Sequence, residues 1–177
     1  MFRKILSYGT VAGLIAGISL SAVVVAGRGH EMHYGMLIGY ATMLIALSTV
    51  FVAIKRHRDV DLGGVIGFWP ALGLGLGISF VAGIFYVLAW ETTVWLLHLD
   101  FANGYARSLI EQQKASGMGG AALAKFTAEM EQFKGQYANP FYRLPMTFAE
   151  IFPVGVLVSL VSAGLLRSRS FLPARRG

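Results

Sequence analysis

The chain has no cysteine among its 177 residues, so disulfides, thiolate metal sites and iron–sulfur clusters are excluded. Charge is scarce too. Only 14% of residues are charged, against about a quarter in soluble domains. Asp and Glu together number nine, and Lys and Arg fifteen, for a net charge of +6. In a soluble protein that excess would suggest nucleic acid. Here the basic residues flank apolar runs, which matches membrane topology rather than nucleic-acid binding.

What is present is apolar length. Hydrophobic residues make up 55% of the chain. A helix needs about 20 predominantly apolar residues to cross the hydrocarbon core. Four runs meet that need, at 5–27, 34–54, 70–97 and 146–166. The expected fold is therefore an all-α, four-span transmembrane helix bundle, one transmembrane domain over 1–177. The third run would be about 43 Å long as a single helix at 1.5 Å per residue, so it must tilt or emerge from the membrane. Trp69 suits an interface anchor and Pro70 a first helical position.

The signs of the loop charges predict orientation. Arg3 and Lys4 precede span one. Lys55, Arg56 and Arg58 follow span two. Arg167, Arg169, Arg175 and Arg176 follow span four. Alternating spans put all three clusters on one side, so both termini and the 55–61 loop are expected in the cytoplasm, facing anionic lipid headgroups. The first run also admits a signal peptide cleaved after Ala26. Its apolar stretch exceeds the usual 7–15 residues of such a segment, which favours a retained span.

Residues 100–138 are the one sizeable polar part, expected outside the cytoplasm. Leu123, Phe126, Met130, Phe133 and Tyr137 are spaced 3, 4, 3, 4, which is an amphipathic helical stripe. Phe101, Tyr105 and Leu109 suggest a shorter helix before it, and "SGMGG" (116–120) separates the two. The expectation is a helical hairpin. It is either a lid on the bundle or headgroups or a partner-binding element.

Between lipid-solvated helices apolar burial contributes little, so close backbone approach must drive packing. Small residues recur four apart in every span: Gly9, Gly13, Gly17 and Ser21; Gly35 and Gly39; Ala71, Gly75, Ser79 and Gly83; Gly155, Ser159 and Ala163. The glycines of these rows are the expected helix contacts. The rows leave a homo-oligomer or a membrane protein partner open.

Several motifs fail. "GLGLG" (73–77) resembles part of a dinucleotide fingerprint but has no strand before it and no acid at the ribose position. "GMGGAALAK" lacks the Walker spacing. His30, Glu31, His33, His98 and Asp100 show no recognised metal-ligand spacing. No catalytic residue, metal or cofactor is therefore assigned.

The candidates that remain are Glu91, Glu150 and Pro153, polar or helix-breaking groups inside apolar runs. Glu91 continues the third span's small-residue row. Glu150 has two readings. In "TFAE" it closes a capping box begun by Thr147. Alternatively Asn139 caps a longer helix with Pro140 in its first turn, and Glu150 then lies well inside. The second start signal is the stronger. It predicts a helix kinked near Pro153, with Glu150 facing other helices and not lipid.

"YGMLIGYATMLIALSTVFVAIK" (34–55), "FYVLAW" (85–90) and "NPFYRLPMTFAEIFPVGVLVSLVSAGLLR" (139–167) resemble the bacterial membrane proteins grouped as domain of unknown function 4199. The resemblance covers nearly the whole chain. It implies a small bacterial integral membrane protein with four spans, and no activity. The expected function is a non-enzymatic inner-membrane accessory or small transport-associated component. The alternatives are a membrane enzyme acting on a lipid-type substrate at the outer leaflet, or a proton or cation pathway through Glu91 and Glu150.

Overall fold

A computed structural model describes residues 1–26 and 35–173, with side-chain surroundings from residue 37 in the second block. Gly27, Arg28, His30, Glu31, His33, Tyr34, Arg175 and Arg176 lie outside the described residues, as do the surroundings of Gly35.

The described chain is all helical, without a strand. Its elements are α1 (Phe2–Ala26), α2 (Gly35–Arg56), a short π-helical turn (His57–Asp61), α3 (Phe68–Leu96), α4 (Phe101–Ala115), α5 (Gly120–Tyr137) and α6 (Pro140–Leu166). Four helices are long and apolar enough to cross a membrane, over Phe2–Ala26, Leu37–Asp61, Phe68–Leu96 and Pro140–Leu166, each with a mean hydropathy of at least 2.0. The fourth starts six residues before the apolar run, because Asn139 Oδ1 accepts the Phe141 N–H at 2.9 Å and Pro140 needs no donor partner. Thr147 is buried within that helix and does not begin it, so the capping-box start is not used.

The chain divides into two compact units: Met1–Trp90 with Phe148–Gly177, and Glu91–Thr147. In the first unit α3 is the hub. A methyl at Gly9 would lie 2.6 Å from Val81 Cβ, one at Gly13 would collide with the Ala82 carbonyl, and one at Gly17 with Ala89 Cβ. Helix α1 thus lies backbone-close on α3. On another side, α3 meets α6 through two reciprocal small pairs. A methyl at Gly75 would lie 2.8 Å from Ser159 Cβ, and one at Gly155 would lie 2.6 Å from Ser79 Cβ. The two hydroxyls are 3.2 Å apart, and Ser159 Oγ also donates to the Gly155 carbonyl at 2.7 Å. Gly83 takes the Phe148 ring. Helix α2 adds Met43, Ala46, Leu47, Val50, Ala53 and Ile54, a buried helical stripe.

Gly39 departs from the expected contact. A methyl there meets nothing within 4 Å. Its helix buries the stripe that starts at Met43, and Leu37, Ile38 and Tyr40 around Gly39 are exposed. Large apolar side chains cover much of the outside of this unit, among them Ile45, Trp69, Leu157 and Val161, as lipid-facing helices require.

The second unit is built differently. Helices α4 and α5 form the hairpin, and Gly117 and Gly120 at its turn have φ of +89° and +57°, a backbone that suits glycine. Leu123, Phe126, Met130, Phe133 and Tyr137 are among the less exposed positions of α5, with Thr127 and Lys134, and neighbouring Lys125, Glu129 and Glu131 are exposed. Phe101 stacks on Tyr105 with centroids 5.6 Å apart, and Phe133 and Tyr137 complete the cluster. This satisfies the amphipathic stripe without a deep core.

Candidate functional site

Three polar constellations sit on or beside the apolar helices. The first unites α3 and α6 in the first unit. Tyr86 is fully buried, and its hydroxyl donates to Glu150 Oε2 at 3.2 Å. Glu150 is nevertheless an exposed residue, and so are Ala149 and Pro153 on the same side of α6. The expectation from the sequence is that Glu150 faces other helices and not lipid. One carboxyl oxygen reaches a neighbouring helix, while the residue as a whole is exposed. The reason is rotational: the buried side of α6 runs through Ile151, Gly155, Ser159 and Ser162, and Glu150 lies about 100° from Ile151 around the helix.

The second constellation belongs to the second unit. Glu91, late in α3, receives both arms of Arg143, in the first turn of α6: Nε to Oε1 at 2.6 Å and Nη2 to Oε2 at 2.5 Å. Arg143 also donates through Nη1 to the Tyr137 carbonyl at 3.3 Å, and its guanidinium lies 5.6 Å from the Tyr137 ring centroid. The pair is only partly exposed, 15% for the Arg143 side chain and 25% for that of Glu91. A bidentate fork of this kind is among the stronger charged contacts a protein makes. Glu91 is therefore an inter-helix anchor, with its proton-accepting oxygens both engaged.

The third was not singled out in the sequence. Arg58 is the largest fully buried side chain, at 1% exposure. It donates to the Phe171 carbonyl at 3.0 Å, the Leu172 carbonyl at 2.5 Å and the Leu166 carbonyl at 3.4 Å, and to Asp59 Oδ1 at 2.7 Å. A cation at a helix C-terminus satisfies carbonyls that have no partner in the helix. Arg58 thus ties the π-helical turn after α2 to the end of α6 and the segment beyond it. Leu172 has φ of +47°, a left-handed backbone in a residue that seldom adopts it. Nearby, Lys4 pairs with Asp61, His57 Nδ1 lies 2.6 Å from the same carboxylate, and Lys55 reaches Asp59 at 2.5 Å. The basic cluster after α2 is not merely a solvated rim. It is the joint of three helices.

An open groove of about 470 Å³ lies along α4 and α5, lined by Asp100, Asn103, Arg107, Glu111, Lys114, Glu131 and Lys134 among others. Its charges balance, and Lys134–Glu131 at 2.6 Å and Asn103–Asp100 at 2.8 Å are engaged with each other. His98 and Asp100 are described, and no group of three His, Cys, Asp or Glu side chains suited to a metal occurs among the described residues.

Sequence reasoning missed Arg143, Tyr86 and Arg58. A signal existed for Arg143. Once Asn139 is taken as the cap, a cation stands in the first helical turn, where the dipole disfavours it, so an acid partner is implied. Nothing in the sequence separated Arg58 from Lys55 and Arg56.

Residues 7–168 match the family model described as "Protein of unknown function (DUF4199)". The chain belongs to that family. No curated protein and no solved structure matches it.

Proposed function

We propose that this member of the unknown-function family is a non-enzymatic accessory component of a bacterial inner membrane, working through association with another membrane protein. The observation that carries the reading is the bidentate Glu91–Arg143 pair. It places one of the two candidate carboxylates in a structural ion pair, so a catalytic couple or a two-carboxylate relay through Glu91 and Glu150 loses a member. The serines deep in the bundle are likewise engaged with each other. Both termini and the Arg58 joint are assigned to the cytoplasmic side on the strength of the basic residues Lys4, Lys55, Arg56, Arg58, Arg167 and Arg169, of which the exposed Arg56, Arg167 and Arg169 would face anionic headgroups.

The test is isolation of the tagged full chain from its own membranes in mild detergent, with the copurifying polypeptides identified and quantified. A membrane protein recovered in constant ratio across preparations is the expected result. A chain that runs alone, together with an altered lipid profile on its deletion, would replace the accessory reading with the lipid-enzyme one. Orientation has its own test, since the chain lacks cysteine. Single cysteines at Ser116 and Ser170 should differ in intact cells, with an impermeant thiol reagent reaching Ser116→Cys only. Reaction at Ser170→Cys alone would invert the topology.

A further inference from the structure

The outer face of α6 carries a group that lipid cannot satisfy. Glu150 lies about 15 Å along the helix from Pro140 and about 24 Å from Leu166, at 1.5 Å per residue. With the 27-residue helix centred on a hydrocarbon core about 30 Å thick, the Glu150 backbone lies roughly 10 Å inside one boundary of the core, and its side chain leans back toward that boundary. Ionisable groups at such depth face a bundle interior or a water-filled cavity in nearly all membrane proteins. This one is exposed. The Tyr86 hydroxyl reaches Oε2, and no other hydrogen bond meets the carboxylate among the described residues. Pro153 stands one turn on and has no N–H to give the Ala149 carbonyl. Both Ala149 and Pro153 are exposed beside Glu150. The face thus presents a carboxylate and a backbone acceptor released by proline, side by side. Below them it continues as an apolar surface through Leu157, Leu160 and Val161, and Gly164 has nothing within 4 Å of where a methyl would be.

We infer that this face of α6 is the docking surface for a transmembrane helix of another protein that carries a lysine or arginine at the depth of Glu150. Two adjacent acceptors call for one cation with several donors, which an ammonium or guanidinium supplies and a lone hydroxyl does not. The apolar strip beside them fits a helix, and the open glycine admits its backbone closely. A second copy of this chain would bring carboxylate against carboxylate, the wrong sign for the site. The inference rests on the accessory-component reading and names its interface.

The experiment is photo-crosslinking in native membranes, with a photoreactive amino acid at Leu157 or Val161 of the full chain and the crosslinked peptide sequenced. The expected product is a transmembrane segment of another protein with Lys or Arg about two turns from a crosslink at Leu157 or about three turns from one at Val161, toward the Glu150 end. Glu150→Gln should lower its yield at least fivefold, with the variant's thermal transition in detergent unchanged as a check on folding. Glu150→Lys combined with a Lys→Glu change in the captured helix should restore it. Crosslinks to lipid alone, to α6 of a second copy, or to a helix without a cationic side chain would each overturn the inference, as would a yield indifferent to Glu150→Gln. A constant-ratio partner in the pull-down without these crosslinks removes this interface and leaves the accessory reading in place.

Discussion

The two units of this protein reach cohesion by opposite means. The Met1–Trp90 and Phe148–Gly177 unit brings helices together where side chains are smallest, at Gly9, Gly13, Gly17, Gly75 and Gly155. Many of its large side chains point outward, among them Ile45, Leu157 and Val161, although Leu47, Ile54, Ile78 and Tyr86 are buried in its core. The Glu91–Thr147 unit brings its helices together through its largest side chains, the rings of Phe101, Tyr105, Phe133 and Tyr137, and through the Glu91–Arg143 fork. Lipid around the first unit and water around the second would produce this difference. Where lipid surrounds a helix, an apolar ring is as well placed outside as inside, so contact area between backbones decides. Where water surrounds it, burying a ring is favourable in itself. The same residue type therefore means different things in the two units.

The comparison is broken most severely at Gly13. Gly13→Leu drives a branched side chain into the Ala82 carbonyl and Phe85, neither of which can yield without moving α1 off α3. The expected cost exceeds the usual overpacking range of about 1–3 kcal/mol. Gly39→Leu is the matched control, since a methyl there meets nothing within 4 Å. Unfolding in a detergent titration should show a large loss for the first and almost none for the second. Equal losses would mean that glycine content, not contact, sets the stability of α1.

Arg58→Ala comes next. It removes a buried guanidinium that serves three carbonyls and one carboxylate. Hydrogen bonds to charged groups contribute about 1.5–3 kcal/mol each when broken singly, and losses shared within one network do not add, so about 3 kcal/mol is expected. Arg58→Lys keeps the charge but not the planar fork, and should recover less than half. Protease sensitivity of the segment after Leu166 should rise in both variants. An unchanged segment in Arg58→Ala would show that the carbonyls find other donors.

The helices themselves were legible from the chain. Long apolar runs, the 3, 4, 3, 4 stripe of α5 and the glycine-rich break at 116–120 each rest on local physics, and local physics shows in local sequence. What each row of small residues packs on was not legible. Gly39 repeats the four-residue spacing seen in α1 and α3, yet it meets nothing within 4 Å, because α2 buries the stripe that starts at Met43, and which face of a helix finds a partner is set by segments far away in sequence. The charged sites divide in the same way. Glu150 could be placed inside α6 from the Asn139–Pro140 start signal, but its rotation about the helix depends on what α3 presents, namely Tyr86. Arg58 could be placed near a helix end, yet its burial depends on carbonyls more than a hundred residues on.

The second unit can be tested through its ion pair. Glu91→Gln leaves Arg143 with the Tyr137 carbonyl and ring but without its countercharge. The pair is partly exposed, so the loss should be about 1–2 kcal/mol, between a surface bridge and a buried one. The reversal Glu91→Arg with Arg143→Glu should recover part of it. A detergent melt of each variant gives the comparison. Additive losses in the reversed pair would show that orientation, not charge pairing, fixes the fork.

The smallest effect sharpens the comparison best. Ser79 and Ser159 face each other at 3.2 Å between α3 and α6. In a lipid-solvated bundle such hydroxyl contacts contribute about 0.6 kcal/mol on average, far less than their burial suggests. The single changes mislead on their own, because Ser159 also donates within its own helix to Gly155. A double-mutant cycle with Ser79→Ala and Ser159→Ala removes that term. A coupling near 0.6 kcal/mol is expected, together with little change in fold, since alanine still fits opposite Gly155 and Gly75. A coupling above about 2 kcal/mol would exceed what such contacts supply in membranes. The hydroxyl pair, rather than the backbone approach of Gly75 and Gly155, would then be holding α3 to α6, and the contrast between the two units would narrow to one of polar glue in both.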